Sequence, residues 1–367
     1  MPKFLHTADV HLDSPFSAHF DAKGAALRRS EILRCVSDMI DKAKGLDLLL
    51  IAGDLFDGAA VSPDTIAFLK RKFSEIPDTK VFIVAGNHDP YTQDSVYARE
   101  SFGSNVHVFG TEVECVELSD LKTRIWGVSF DGTYKDERIP VLPIEKVGGI
   151  TDIILLHGDL VSIGGESQYN PIDKYFIKNC GADYLALGHI HKRTEAECIG
   201  NTYFAYPGPP EGRGFDECGD MGCYIVNIED GVVDVKFEKT SKRRMFHVDT
   251  DVSGAQDILD VANIIKSRIN EVGTKNDFYK ITLTGRVESG LVNLDVIKEE
   301  LSEIYYTELY DETRLNYNIE ELLSQNTLCG EFVRLMQQKI SAADVLEKEI
   351  LEEAMHTGIE ALLGGDK

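Results

Sequence analysis

The 367-residue chain has no apolar run long enough to cross a bilayer as a helix, which takes about 20 consecutive apolar residues. Its start, Met1-Pro2-Lys3, passes at once into Phe4-Leu5-His6. It has neither the apolar stretch nor the small-residue cleavage site of a secretory leader, so a cytoplasmic location is expected. Cysteine is sparse: there are seven, with no C-x-x-C spacing, and Cys218 and Cys223 are the closest pair. That pattern suits reduced thiols and excludes a disulfide framework or a closed structural zinc site. Basic charge is the scarcest resource. Lys and Arg number 38 against 62 Asp and Glu, a net charge of −24. Residues 1–240 hold 24 basic and 38 acidic side chains and residues 241–367 hold 14 and 24, so the deficit runs through the whole chain. A protein that grips DNA unaided shows a basic face. This excess of acid reads instead as a solvated surface.

What is present is an ordinary globular composition, 43% hydrophobic and 27% charged, at a length that implies two or three domains. Up to about Thr240, short apolar runs alternate with helical stretches. Strands are expected over Lys3–Ala8, Leu46–Ala52, Lys80–Ala85, Val106–Phe109, Glu112–Leu118, Thr123–Gly127, Asp152–His157, Asp183–Leu187, Asn201–Ala205, Gly222–Ile228 and Gly231–Phe237. Helices are expected over Ala25–Ala43 and over Pro63–Glu75, the latter capped by Ser62. Strands first interleaved with helices and then in meanders predict an α/β core with mixed sheets and a hairpin near residue 230. Lys242, Arg243 and Arg244 form the densest basic cluster, read as a boundary linker in preference to a DNA-facing edge. Residues 245–312 read as a small α+β domain and 313–367 as an acidic helical segment. There Ser341-x-x-Asp344 resembles a capping box that opens a helix striped by Val345, Leu346, Ile350, Leu351, Met355, Ile359, Leu362 and Leu363, with Gly364-Gly365 as its stop. That stripe could pack on its own domain or dock a partner helix.

Polar groups stand where the apolar runs stop. Asp9 and His11 follow the first run, Asp54 follows Leu48–Ala52, and Asn87 follows Val81–Ala85. His157 ends Ile153–Leu156, and Gly188-His189-Ile190-His191 closes Tyr184–Leu187. Open α/β sheets place their sites at the carboxyl ends of the strands, and the adjoining glycines allow sharp turns there. An extended His-x-His would point both rings to one side. The donor set is histidine with Asp and Asn oxygens and no Cys, which suits Mn, Fe or Zn in higher coordination. Seven ligands exceed the needs of one ion, and a shared carboxylate can bridge two in a phosphoryl-transfer clamp.

Asp-x-His, Gly-Asp, Gly-Asn-His-Asp, His-Gly and Gly-His-x-His together resemble the five motifs of the calcineurin-like metallophosphoesterases. The finer resemblance is to their DNA-repair exonuclease branch: the SbcD and Mre-type nucleases and, nearest, the YhaO-like proteins. It is carried by Phe4 through Asp13, Gly53-Asp54-Leu55-Phe56-Asp57, Ala186 through His191, Tyr206-Pro207-Gly208 and Glu211 through Glu217, and it is strong over about 1–240. The resemblance implies a four-layer sandwich of two mixed sheets flanked by helices, followed by the small α+β region as a capping domain and by C-terminal helices. It implies that Asp9, His11, Asp54 and His191 hold one ion and that Asp54, Asn87, His157 and His189 hold the other, so that the two histidines of Gly-His-x-His serve different ions. His88 would face the phosphate as acid or transition-state stabiliser. A hydroxide bridging two divalent ions, Mn2+ foremost, would attack phosphorus in line. Two positions depart from the pattern. Asp57 stands where archaeal and eukaryotic members carry a His, so no phosphate-rotating role transfers to it, and Pro209 stands where a Ser is common, which removes a polar contact.

The activity implied is a metal-dependent DNA exonuclease or endonuclease acting in repair. Its partners would be DNA, an SMC-like ATPase of the SbcC or YhaN kind that supplies the missing basic surface, and a second copy of the chain. The alternative is a phosphodiesterase or phosphatase acting on something other than DNA, which the acidity favours. Against the protein phosphatases, Asp57-Gly58-Ala59 lacks their Arg.

Overall fold

The computed structural model describes residues 2–16, 20, 22–136 and 144–363, and the Leu346 side chain and the expected Gly364-Gly365 stop lie outside the described residues. The chain separates after Phe246 into two compact units. The first contains β1 (Lys3–Thr7), α1 (Ala22–Ala43), β2 (Leu48–Ala52), α2 (Pro63–Ser74), β3 (Lys80–Val84), α3 (Val96–Arg99), β4 (Val106–Val108), β5 (Glu114–Leu118), β6 (Thr123–Gly127) and β7 (Thr151–His157). It continues through β8 (Leu160–Val161), β9 (Ile172–Asp173), α4 (Lys174–Asn179), β10 (Tyr184–Gly188), β11 (Glu197–Ile199), β12 (Thr202–Ala205), β13 (Gly222–Glu229) and β14 (Val232–Lys239).

Two six-stranded mixed sheets form its centre, in the orders β14-β13-β1-β2-β3-β4 and β11-β12-β10-β7-β6-β5. Phe4, Leu48, Leu50, Phe82 and Val84 of one sheet pack against Ile125, Ile153, Leu155, Tyr184 and Ala186 of the other. The opposite face of the first sheet, including Leu5, Leu49 and Ile83, is covered by Ile32, Val36 and Met39 of α1 and by Leu69 and Phe73 of α2. The opposite face of the second, including Ile154 and Leu185, is covered by Phe176 and Ile177 of α4. Helix, sheet, sheet, helix is the four-layer order expected. Because the central strands bury both faces, they read as continuous apolar runs instead of alternating ones. Ser62 caps α2 by accepting from Thr65 N at 3.1 Å, and the β13–β14 hairpin turns at Asp230-Gly231, both with positive φ. The Lys242–Arg244 cluster lies just before the division after Phe246, and its side chains and backbone are tied down. Lys242 pairs with Asp38 of α1, Arg243 pairs with Glu31 at 2.8 Å, and the Glu211 carboxylate accepts from the Lys242 amide at 2.6 Å.

The second unit opens within β15 (Met245–Asp251) and contains α5 (Ile258–Val272), β16 (Phe278–Thr284), β17 (Arg286–Val287), α6 (Leu294–Glu300), β18 (Tyr306–Asp311), β19 (Arg314–Leu315), α7 (Ile319–Ser324), α8 (Leu328–Ala342) and α9 (Val345–Leu363). β15, β16 and β18 form a three-stranded sheet. The last helices build their own core from Leu322, Val333, Met336, Ile340, Met355 and Ile359. Helix α9 starts later than Ser341 suggests: the Ser341 hydroxyl donates back to Gln337 O in α8, and Asp344 Oδ1 accepts from Glu347 N at 3.0 Å. Its stripe is divided, with Met355 and Ile359 buried and Val345 and Ile350 exposed. Ile359→Ala is expected to cost about 2–5 kcal/mol, because Ile359 is fully buried and α9 has one apolar face against α8. Urea unfolding measures this, and a loss under 1 kcal/mol would refute the packing described.

Candidate metal centre

Strands β1, β2 and β3 run parallel to one another, as do β7 and β10, and the carboxyl ends of both sets meet. Of the seven side chains read from the motifs, His157 is the last residue of β7 and the other six sit in the short loops there. Four adopt left-handed backbone angles: Asp9 (φ 54°), His11 (49°), Asp54 (51°) and His189 (105°). Such conformations are rare outside glycine and cost on the order of 1–3 kcal/mol each, so the surrounding fold must impose them. Two glycines allow the close approach. A Cβ at Gly188 would run into the Ala52 carbonyl, and one at Gly86 would run into the Asp54 carboxylate. The strand β10 ends at Gly188 and His189 turns away from extended geometry. The two rings of Gly-His-x-His therefore part instead of pointing together.

His191 goes toward His11, the two Nε2 atoms 3.3 Å apart. His189 goes toward Asn87, its Nδ1 3.1 Å from Oδ1. His157 Nε2 lies 3.0 Å from the same Asn87 oxygen. Asp54 Oδ2 stands between the two groups, 3.6 Å from His11 Nε2 and 3.4 Å from His157 Nε2. Asp9 Oδ1 accepts from the His189 amide at 2.9 Å, while Asp9 Oδ2 is buried with no hydrogen-bond partner. A buried carboxylate oxygen without a partner and two imidazole nitrogens facing each other are both unfavourable in a site without a cation. The donor set therefore fits divalent cations: Asp9, His11 and His191 have donor atoms within 4.8 Å of one another, as do Asp9, Asp54 and His157.

Each of these four imidazoles turns one nitrogen to the cluster and has the other held from outside. His11 Nδ1 lies 3.2 Å from Asp57, His191 Nδ1 2.8 Å from Glu217 and His189 Nε2 3.2 Å from Asp159, while His157 Nδ1 lies 2.8 Å from the Ala52 carbonyl. Outer acceptors of this kind fix the tautomer and orient the ring. Asp57, Asp159 and Glu217 are not among the site residues expected from the motifs. Asp57 and Asp159 follow motif positions, whereas Glu217 comes from a loop 26 residues after His191 and is signalled only by the Glu211–Glu217 stretch. Asp57, His11 and His88 also cluster. Since Asp57 Oδ1 lies 3.2 Å from Nδ1 of both rings, we read this group as a hydrogen-bonded relay and not as a third cation site. Asp89 braces the Asn87 loop by accepting from Gly86 N at 2.7 Å, Phe56 N at 3.1 Å and the Tyr97 hydroxyl at 2.5 Å. Arg213 lies beside the cluster, 3.0 Å from Glu217 and 3.3 Å from His191 Nδ1. Among the described residues no Lys or other Arg touches these side chains.

Burial works against every charge here, and the partners decide the outcome. Burial pulls His157 down, but Asp54 and Asp9 prevail and raise it to about 9. Burial lifts Glu217, but His191 and Arg213 hold it down at about 2. Asp57, although lifted by burial, lies well below the usual carboxylate range because His11 and His88 donate to it. His11 is lowered, chiefly by burial. Asp89 is pushed up to about 6 by burial and by the neighbouring Asp54. His88, which is 47% exposed at the mouth, is raised by its bond to Asp57. Glu217→Gln is expected to weaken metal affinity about 10- to 100-fold while the fold persists. Calorimetric titration with Mn2+ checks this, and an unchanged affinity would remove Glu217 from any orienting role.

The pattern of the calcineurin-like phosphoesterase family matches residues 2–193. The metallophosphoesterase YhaO of Bacillus subtilis, described as uncharacterized, is 28% identical over 345 residues, covering 87% of this chain and 84% of its own. The DNA double-strand break repair protein Mre11 of Aeropyrum pernix is 25% identical over 289 residues, 72% of this chain and 67% of its own. The SbcD component of the nuclease SbcCD of Staphylococcus epidermidis is 24% identical over 318 residues, 77% of this chain and 79% of its own.

Proposed function

Because this chain belongs to the calcineurin-like phosphoesterase family and is a hydrolase of phosphoric esters, we propose that it is a Mn2+-dependent DNA nuclease acting in repair. The observation that carries this reading is the reach of its likeness. Similarity to the SbcD nuclease component spans 318 residues, far more than the 2–193 that the phosphoesterase pattern covers.

In this reading Asp9, His11, Asp54 and His191 hold one cation, and Asp54, Asn87, His157 and His189 hold the second. Two bound divalent ions would supply Lewis-acid activation and a nucleophile at neutral pH. The protein's own groups do the rest. Asp57 accepts from His88 Nδ1, which fixes the ring and raises its pKa, so His88 keeps a proton to give the leaving oxygen. The Asp57, Asp159 and Glu217 carboxylates keep the ligand rings in register. Arg213 offsets part of the local negative charge. No side-chain nucleophile is required.

The basic surface that DNA needs would come from an SMC-like ATPase partner, docked on the exposed apolar residues of α8 and α9, and the active form would be a homodimer in the cytoplasm. Among the described residues no helix is long and apolar enough to cross a membrane. The test sets Mn2+ with linear, hairpin and single-stranded DNA beside bis-p-nitrophenyl phosphate, with His88→Ala as control. DNA cleavage that disappears in the variant supports the nuclease. Hydrolysis of the small ester alone, even with the ATPase present, sinks it in favour of a non-DNA phosphodiesterase, the reading that the net charge of −24 favours.

A further inference from the structure

An aromatic ladder leads out of the metal centre. The His189 ring lies against Tyr169, centroids 4.7 Å apart and planes inclined by 34°. Tyr169 in turn lies against Tyr134, at 5.9 Å and 42°. Tyr134 is the outermost rung and is 61% exposed. Scattered exposed aromatics need no explanation. This one differs because it continues a series that begins on a candidate ligand.

The ladder is built, not incidental. Lys135 and Tyr169 pair as an isolated parallel bridge, with Lys135 N donating to Gln168 O at 2.7 Å and Asn170 N donating to Lys135 O at 2.6 Å. Asn170, held at φ 49°, sends its side-chain amide to the His157 carbonyl at 2.8 Å. Asp159 N donates to Tyr169 O at 2.8 Å, and the Asp159 carboxylate meets His189. The rungs are thus tied through backbone to the same loops that carry the site.

We propose that Tyr134 and Tyr169 form a stacking shelf for a nucleobase of the substrate, next to the phosphate held at the metal centre. Stacking on an aromatic face contributes about 1–3 kcal/mol per base and tolerates every base. It does not depend on positive charge. A chain of net charge −24 can therefore hold an unstacked nucleotide without a basic groove. The shelf gives the site preference for single-stranded or frayed ends, where a base is free to leave its neighbours. The inference rests on the phosphodiesterase reading of the site, not on cleavage of DNA.

The test compares two esters with the same leaving group, thymidine 5′-(p-nitrophenyl phosphate) and methyl p-nitrophenyl phosphate, on the full chain with Mn2+. Tyr134→Ala is expected to raise the ratio of their KM values about fivefold or more, the lower end of the stacking range. Tyr134→Trp should hold that ratio or lower it. A ratio unchanged in Tyr134→Ala overturns the shelf, as does a shift that Tyr134→Trp reproduces. Thermal melting of each variant identifies a folding defect, which would move both esters alike. A base-dependent ratio with no DNA cleavage would leave the shelf standing and the nuclease reading refuted. DNA cleavage with an unchanged ratio would do the reverse.

Discussion

Asp54→Asn lowers hydrolysis of bis-p-nitrophenyl phosphate with Mn2+ by about a thousandfold or more. Asp54 Oδ2 stands between both halves of the cluster, 3.6 Å from His11 Nε2 and 3.4 Å from His157 Nε2. An amide keeps the shape and can still accept from the His88 backbone at Oδ1, 2.9 Å in the parent. What it loses is the charge that two cations would share. Lewis-acid stabilisation amounts to several kcal/mol, and each 1.36 kcal/mol is about tenfold in rate. A variant with the parent rate would end the role of Asp54.

The same substitution has a consequence for stability without metal. Burial lowers the pKa of His157, but Asp54 first, with Asp9 and the Ala52 carbonyl, overrides it, to about 9 against an ordinary 6.5. A folded pKa above the unfolded one stabilises fully below 6.5 and is lost as pH rises through 9. The shift corresponds to about 3 kcal/mol. Metal-free Asp54→Asn should therefore unfold at lower urea than the parent near pH 6, with the gap closing toward pH 10. A gap that widens with pH would contradict the pairing.

His88→Ala lowers the rate by about 10²- to 10⁴-fold, the range for loss of a positioned acid, with metal affinity little changed. His88 is half exposed; its ring lies edge-on to the His11 ring at 4.7 Å and meets Asp57 at 3.2 Å, and it is not itself one of the seven candidate ligands. Its bond to Asp57 raises its pKa, so the protonated ring persists further toward neutral pH than an isolated imidazole does. The parent rate should fall as pH rises through that elevated value, and the variant should lack this limb. A pH profile identical in shape for both would remove His88 as the proton donor. Asp57→Asn should shift the limb to lower pH.

Much of this was legible because the physics was local. The runs Leu48–Ala52 and Tyr184–Leu187 are continuous in sequence because both of their faces are buried, and the polar residues after them are conspicuous by contrast. The short strands β8, β9 and β11 and the helix α4 have no such signature in the sequence. Each is two to six residues long, and their pairing is imposed by neighbours, not by pattern. Asp159 and Glu217 give no local signal for a related reason. A carboxylate behind a histidine acts only through approach in space, and Glu217 reaches His191 from a loop without periodicity. The stripe of α9 was visible, but which half of it is buried depends on α8, which the stripe alone does not encode.

The seven candidate ligands divide between the two sheets. Asp9, His11, Asp54 and Asn87 follow strands of one, and His157, His189 and His191 belong to the other. A cation bound here would act as a cross-link between layers otherwise held by the apolar contacts of Phe4, Leu50, Ile153 and Leu155. Opening the sandwich would then require the ion to leave first. Occupancy would slow amide hydrogen exchange in β2 and β10 together, and chelation would release both at once. The loading of the site would thus set the lifetime of the folded domain as well as its chemistry.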